Sequence, residues 1–129
     1  MSRARTVAEF HKAFEHPVNT RVDFPDEATE KLRIKLLREE FREYRDAVAA
    51  GDMVEIADAL ADMAVIIEGT ALAYGIPLEA AFREVMWSNM TKLGENGRPI
   101  YRRDGKIAKG PAYQPPDIET VLRLHGWEG

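Results

Sequence analysis

Four acidic residues stand at spacings that let them act together. Glu40 and Glu43 lie three apart, Asp58 and Asp62 four apart. On a helix, either spacing puts both members of a pair on one face. Between the pairs lies Ala50-Gly51-Asp52. Its glycine suits the left-handed residue that ends one helix, and Asp52-Met-Val-Glu55 has capping-box-like spacing for the start of the next. So short a connection folds two helices into an antiparallel hairpin. Counted outward from that turn at equal rise, Glu43 faces Asp58 and Glu40 faces Asp62. Four carboxylates aimed at one another repel and would largely protonate. A hard dication, Mg2+ with Mn2+ as a substitute, prefers carboxylate oxygen and cancels the charge.

The two halves of this constellation have different surroundings. Asp58 and Asp62 lie within the otherwise apolar stretch from Ile56 to Ile67. A helix apolar nearly all round is expected to be buried, and aspartate is rarely buried unpaired. Glu39, Glu40 and Glu43 lie among Lys35, Arg38 and Arg42, which taken alone reads as a solvated face with surface ion pairs. Glu55 reads as a cap. A di-iron centre in a helical bundle needs Glu-x-x-His pairs, and there are none. His11, His16 and His125 fall outside the two helices and read as incidental surface or pocket residues.

These side chains require helices to position them. Residues 5–15, with Thr6, Val7, Phe10 and Phe14 at helical spacing, predict a first helix ending before Pro17. Residues 16–26 read as a linker, and Asp26 as the N-cap of a second helix that continues to about Ala50, with Glu27 and Glu30 in its first turn. The third runs to Tyr74 and stops at Gly75-Ile76-Pro77. Pro77 can open a fourth, ending near Gly94. Asp104-Gly105 resembles the tip of a short hairpin, and Pro115-Pro116-Asp117 opens a last short helix. The expectation is a single all-α domain over residues 1–129: an antiparallel helical bundle of about four to five helices with a short C-terminal hairpin-like loop.

Composition narrows the function classes. A chain of 129 residues, 45% hydrophobic and 31% charged, is ordinary for a globular domain. Without cysteine it has no disulfide framework, thiolate metal site or cysteine nucleophile. The N-terminus lacks the apolar stretch of a secretory signal, and no uncharged run approaches the roughly 20 residues of a spanning helix, so a cytoplasmic protein with no membrane partner is expected. The net charge of −4 hides a basic segment from Lys92 to Lys109 on an otherwise acidic chain. Nucleic-acid binders carry a broader basic surface, so none is expected as a partner.

Four motifs in order resemble a known family. They are Leu36-Leu37-Arg38-Glu39-Glu40-Phe41-Arg42-Glu43; Asp58-Ala59-Leu60-Ala61-Asp62; Ser88-Asn89-Met90-Thr91-Lys92; and Asp104-Gly105-Lys106 before a Pro-Pro-Asp helix. Together they resemble the all-α NTP pyrophosphohydrolases, which include MazG proteins, dimeric dUTPases and phosphoribosyl-ATP pyrophosphohydrolases. The likeness is nearest to the small single-domain MazG-like branch and runs from about Phe10 to Leu122. It implies that Glu40 and Glu43 are metal ligands on the second helix. Asp62 matches the aspartate of the family's usual Glu-x-x-Asp, whose glutamate position holds Ala59 here, and Asp58 is the substitute one turn before Asp62. The resemblance further implies that Asn89 and Lys92 contact a triphosphate and that Lys106 and Lys109 belong to a basic loop reaching phosphates. A solvated hairpin tip is the competing reading for these last two.

The reaction so implied is attack of water on a nucleoside triphosphate, NTP or dNTP, giving a monophosphate and pyrophosphate, with Lys92, Lys106 and Lys109 stabilising the departing charge. Glu39, about 100° round the helix from the ligands, is a candidate to orient or deprotonate the water; a surface ion pair with Lys35 or Arg42 is its competing role. Phe10, Phe14 or Trp87 could recognise a base, or could be core. Two alternatives stand beside this reading: a phosphoribosyl-ATP pyrophosphohydrolase, and a non-catalytic helical dimerisation or binding module. The resemblance also implies a homodimer or higher homo-oligomer, and the apolar Met63, Ile66, Ile67, Leu72 and Tyr74 are more than one small bundle need cover.

Overall fold

The structure, a computed structural model, describes residues 2–129. Among them are five helices: α1 (Arg3–Ala13), α2 (Glu27–Ala50), α3 (Met53–Tyr74), α4 (Leu78–Met90) and α5 (Ile118–Leu124). The only β feature among the described residues is an isolated antiparallel bridge between Tyr101 and Ile107. Gly105, at φ 83°, turns the chain between them, as the Asp-Gly pair predicts. Among the described residues, no helix is long and apolar enough to cross a membrane.

Most helix ends follow from local chemistry. The carboxylate of Asp26 accepts from the Thr29 N–H at 2.7 Å and that of Asp52 from the Glu55 N–H at 3.1 Å, satisfying donors that a helix start leaves free. Gly51 and Gly75 end α2 and α3 in the left-handed conformation, at φ 64° and 68°. Three ends differ from expectation. Helix α1 begins earlier, because the Ser2 hydroxyl caps the Arg5 N–H, and it ends at Ala13. Helix α4 stops at Met90, where the Thr91 hydroxyl bonds back to the Ser88 carbonyl.

The chain forms two compact units, Met1–Ile76 and Pro77–Gly129. In the first, α2 and α3 make the antiparallel hairpin and α1 packs on α3. The 16–26 segment is tied to the end of α3: the Asn19 and Asp23 N–H groups donate to the Leu72 and Tyr74 carbonyls at 2.9 and 3.0 Å. A Cβ on Gly75 would collide with the Arg21 carbonyl, so glycine is required there for space as well as for φ.

The buried residues of α3, which packs against both α1 and α2, are small: Ala59, Gly69, Ala71 and Ala73. The expectation that this helix is buried all round is not met within one chain. Met53, Val54, Leu60, Val65 and Ile67 are exposed. Small residues allow a close helix approach, and a close approach leaves the large side chains pointing away from the contact.

A polar knot ties the three helices of this unit. Arg33 is 6% exposed; its Nε donates to Thr70 Oγ1 and its Nη2 to the Ile66 carbonyl, both at 3.0 Å, while the Thr70 hydroxyl donates to that same carbonyl at 2.7 Å. His11 is 1% exposed and its Nδ1 meets the Pro17 carbonyl at 3.0 Å, which requires the proton on Nδ1. A Cβ on Gly69 would stand 2.5 Å from both Arg33 Nη2 and His11 Nε2. The reading of His11 as an incidental residue is therefore corrected: it is a fully enclosed structural group. Burial is the main cause holding its pKa below the usual 6.5, with the nearby charges of Arg33 and His16 acting the same way.

Candidate metal centre

The α2–α3 hairpin brings Glu40, Glu43 and Asp62 together. One carboxylate oxygen from each lies within 4.8 Å of the other two. Glu40 and Asp62 are half-buried and Glu43 is exposed. Glu40 Oε2 is shielded from solvent and has no hydrogen-bond partner among the described residues. Among the described residues, no ion pair involves any of the three.

The electrostatics follow from that crowding. The Glu40 pKa is pushed up to about 7, first by burial, then by the close approach of Glu43 and the charges of Asp62, Glu43 and Asp58. Asp62 is raised by burial and by the charges of Asp58 and Glu43. An all-oxygen donor set, crowded enough to hold a proton near neutrality and carrying an orphaned carboxylate oxygen, fits a hard divalent cation.

Asp58 is not part of the three-oxygen set. It is exposed, one turn nearer the hairpin, and with Glu43, Asp46, Asp52 and Glu55 it borders an open acidic cleft of about 520 Å³. Its charge still reaches the cluster, since it raises both Glu40 and Asp62. Ala59, where the resemblance expects a glutamate, is only 2% exposed. Glu39 is exposed, and the ion pair anticipated with Lys35 or Arg42 is absent among the described residues.

The other predicted residues lie in the second unit. Asn89 is exposed and Lys92 partly covered. The basic loop returns onto Lys92, whose carbonyl accepts from the Gly110 N–H at 2.8 Å. A Cβ on Gly110 would collide with the Lys92 and Leu93 carbonyls, so the approach needs glycine. Lys106 follows the hairpin tip, its N–H bonded to the Asp104 carboxylate at 3.0 Å, and Lys109 Nζ stands 4.7 Å from the centre of the Tyr113 ring. Sequence reasoning missed the structural half of the Ser88–Lys92 motif. Ser88, 2% exposed, donates to the Gln114 carbonyl at 2.6 Å, and Thr91 Oγ1 accepts from the Gln114 N–H at 2.9 Å. Small hydroxyls on one helix face were the available signal. Phe10, Phe14 and Trp87 are all exposed rather than core.

Comparison with known proteins gives likenesses of three kinds, to a family, to a curated protein and to solved structures. The family described as phosphoribosyl-ATP pyrophosphohydrolase matches residues 7–89, which include all four acidic positions and Asn89 but not Lys92, Lys106 or Lys109. An uncharacterised protein of Acanthamoeba polyphaga mimivirus is 35% identical over 79 residues, 58% of this chain and 32% of that protein, so the chain spans about a third of the length of that relative. A crystal structure from Exiguobacterium sp. 255-15, of a candidate NTP pyrophosphohydrolase, superimposes with a TM-score of 0.52 at 22% identity, covering 96% of this chain and 95% of that one. At that identity the likeness concerns the fold.

Proposed function

The chain belongs to the phosphoribosyl-ATP pyrophosphohydrolase family of the MazG-like superfamily, and from that premise we propose that it is a metal-dependent nucleoside triphosphate pyrophosphohydrolase. The observation that carries the reading is Glu40. It is half-buried beside Glu43 and Asp62, with Oε2 shielded from solvent and unpartnered among the described residues, an arrangement that costs stability unless a proton or a cation is held there.

Glu40, Glu43 and Asp62 are the proposed ligands, with Asp58 supplying charge from the edge. A Mg2+ or Mn2+ ion in this position supplies charge neutralisation for a polyphosphate and acidifies water. The chain's own part is to hold and orient. Glu39, adjacent to Glu40 and without an ion pair among the described residues, is assigned the proton of the attacking water. Water oxygen bonds to the α-phosphorus, the bond from that phosphorus to the bridging oxygen breaks, and pyrophosphate leaves. Asn89, Lys92, Lys106 and Lys109 are assigned to the phosphates on the family motif and on charge.

Incubating the protein and Mg2+ with a panel of NTPs and dNTPs, and separating products by ion-exchange chromatography, tests this reading. Monophosphate plus pyrophosphate is expected; diphosphate plus orthophosphate would contradict it. Phosphoribosyl-ATP belongs in the same panel, since the matched family's description favours it as the second reading. Exposed apolar groups on α2, α3 and α4, among them Phe41, Leu60 and Phe82, support a homodimer or higher homo-oligomer. Sedimentation velocity at micromolar concentration decides this, and a monomer alone would count against it.

A further inference from the structure

We propose that Arg33 is a positioning residue for the carboxylate centre, locking α2 and α3 in the one axial register at which Glu40 and Glu43 meet Asp62. The inference rests on the reading of that centre as a metal site. Arg33 touches none of the three carboxylates, and its role is exerted through the helices that carry them.

The first argument is registration. Seven residues along α2 from Arg33 stands Glu40; four and eight residues back along α3 from Ile66 and Thr70 stands Asp62. Because the helices are antiparallel with equal rise, the clamp and the ligand set express a single alignment, two turns apart. The second is the nature of the interface. Beside the clamp α3 offers Gly69, with Ala73 one turn further on the same side, small residues that permit close approach but present no ridge to resist sliding. A slip of one turn moves a helix by roughly 5.4 Å, more than the 4.8 Å within which the clustered oxygens all lie, so a one-turn slip disperses the set.

Two directional hydrogen bonds at 3.0 Å supply what the smooth interface lacks. At the opposite side of the centre the Gly51–Asp52 turn fixes the other end, the Asp52 N–H donating to the Ala47 carbonyl at 3.0 Å. The ligands thus lie between two fixed points. Between those points three carboxylates repel one another and push the helices apart. His11 closes the back: its ring lies against Gly69 beside Arg33, and both side chains are buried.

The test compares Arg33→Met and Thr70→Val with Val7→Ala, which also removes buried contacts but not the clamp. Two readouts are taken: Mn2+ affinity by calorimetry, and the distance between spin labels at Arg38→Cys and Ala61→Cys, which label cleanly because the chain has no cysteine. Arg33→Met should weaken Mn2+ binding by about tenfold, as loss of a group that orients metal ligands does, and broaden the label distance. Thr70→Val should do both to a smaller degree. Val7→Ala should lower the melting temperature and change neither readout. If Arg33→Met fails to fold, Thr70→Val and Arg33→Lys, which keeps one donor, carry the comparison. Unchanged Mn2+ affinity and label distance in the clamp variants would overturn the proposal. A wild-type protein that binds no Mn2+ would instead sink the metal reading, while the label distances still judge the clamp.

Discussion

Two polar clusters lie on the same pair of helices, two turns apart, and they are finished in opposite ways. At the Arg33–His11 knot a buried cation is given neutral partners, the Ile66 carbonyl and the Thr70 hydroxyl, and the imidazole is given the Pro17 carbonyl. At the Glu40–Glu43–Asp62 cluster three carboxylates meet, and among the described residues none is paired with an arginine or lysine and one oxygen has no partner. A fold selected for stability alone would bring the arginine to the carboxylates. Keeping them apart stabilises the hairpin at one point and, on the function proposed above, reserves the other for an ion from solution. The satisfied cluster reads as architecture and the unsatisfied one as function.

The largest effect that could break this contrast is on turnover. Asp62→Asn or Glu40→Gln should lower pyrophosphate release by about 100-fold or more, beyond the loss seen when only an orienting partner is removed. The same Glu40→Gln should raise the melting temperature of the metal-free protein, because it removes a repelling charge. Melting curves in EDTA check this second half, and a fall would mean the carboxylate is structural.

The two clusters should also respond to pH with opposite signs. Glu40 holds its proton to about pH 7 in the fold, against 4.5 ordinarily, so its contribution to stability is complete below pH 4.5 and lost as pH rises through 7. His11 is held neutral by burial, so its contribution is present above 6.5 and lost on acidification below that value. In melts from pH 5 to 8 without metal, Glu40→Gln should flatten the fall on the alkaline side and His11→Gln the fall on the acid side. Added Mn2+ should stabilise most above pH 7, where it no longer competes with a proton.

Much of this was legible because it is local. Asp26, Gly51, Asp52 and Gly75 mark helix ends through bonds to residues a few positions away, and the short turn between α2 and α3 then aligns Glu40 with Asp62 by counting. What the sequence hid depends on how elements pack. His11 carries no mark of burial; its surroundings come from Pro17, Arg33 and Gly69, which are distant in sequence or on other elements. Asp58 and Asp62 share a helix face, yet only Asp62 joins the oxygen cluster, a difference of one turn that spacing alone does not resolve.

Smaller effects sharpen the contrast. Gly69→Ala forces a methyl between Arg33 and His11 and should destabilise the protein by about 1–3 kcal/mol, read from denaturant unfolding, as overpacking does. Smallest of all, Asp58→Asn should reduce turnover by less than about tenfold, below the range for groups that orient a ligand. A loss matching that of Asp62→Asn would place Asp58 among the ligands.

The most direct test of the central claim is anomalous diffraction from crystals grown with Mn2+. A peak among Glu40, Glu43 and Asp62, about 2.2 Å from one oxygen of each, is the result predicted here. No peak at millimolar Mn2+, with the Glu40 carboxylate instead hydrogen-bonded to protein groups, would contradict it.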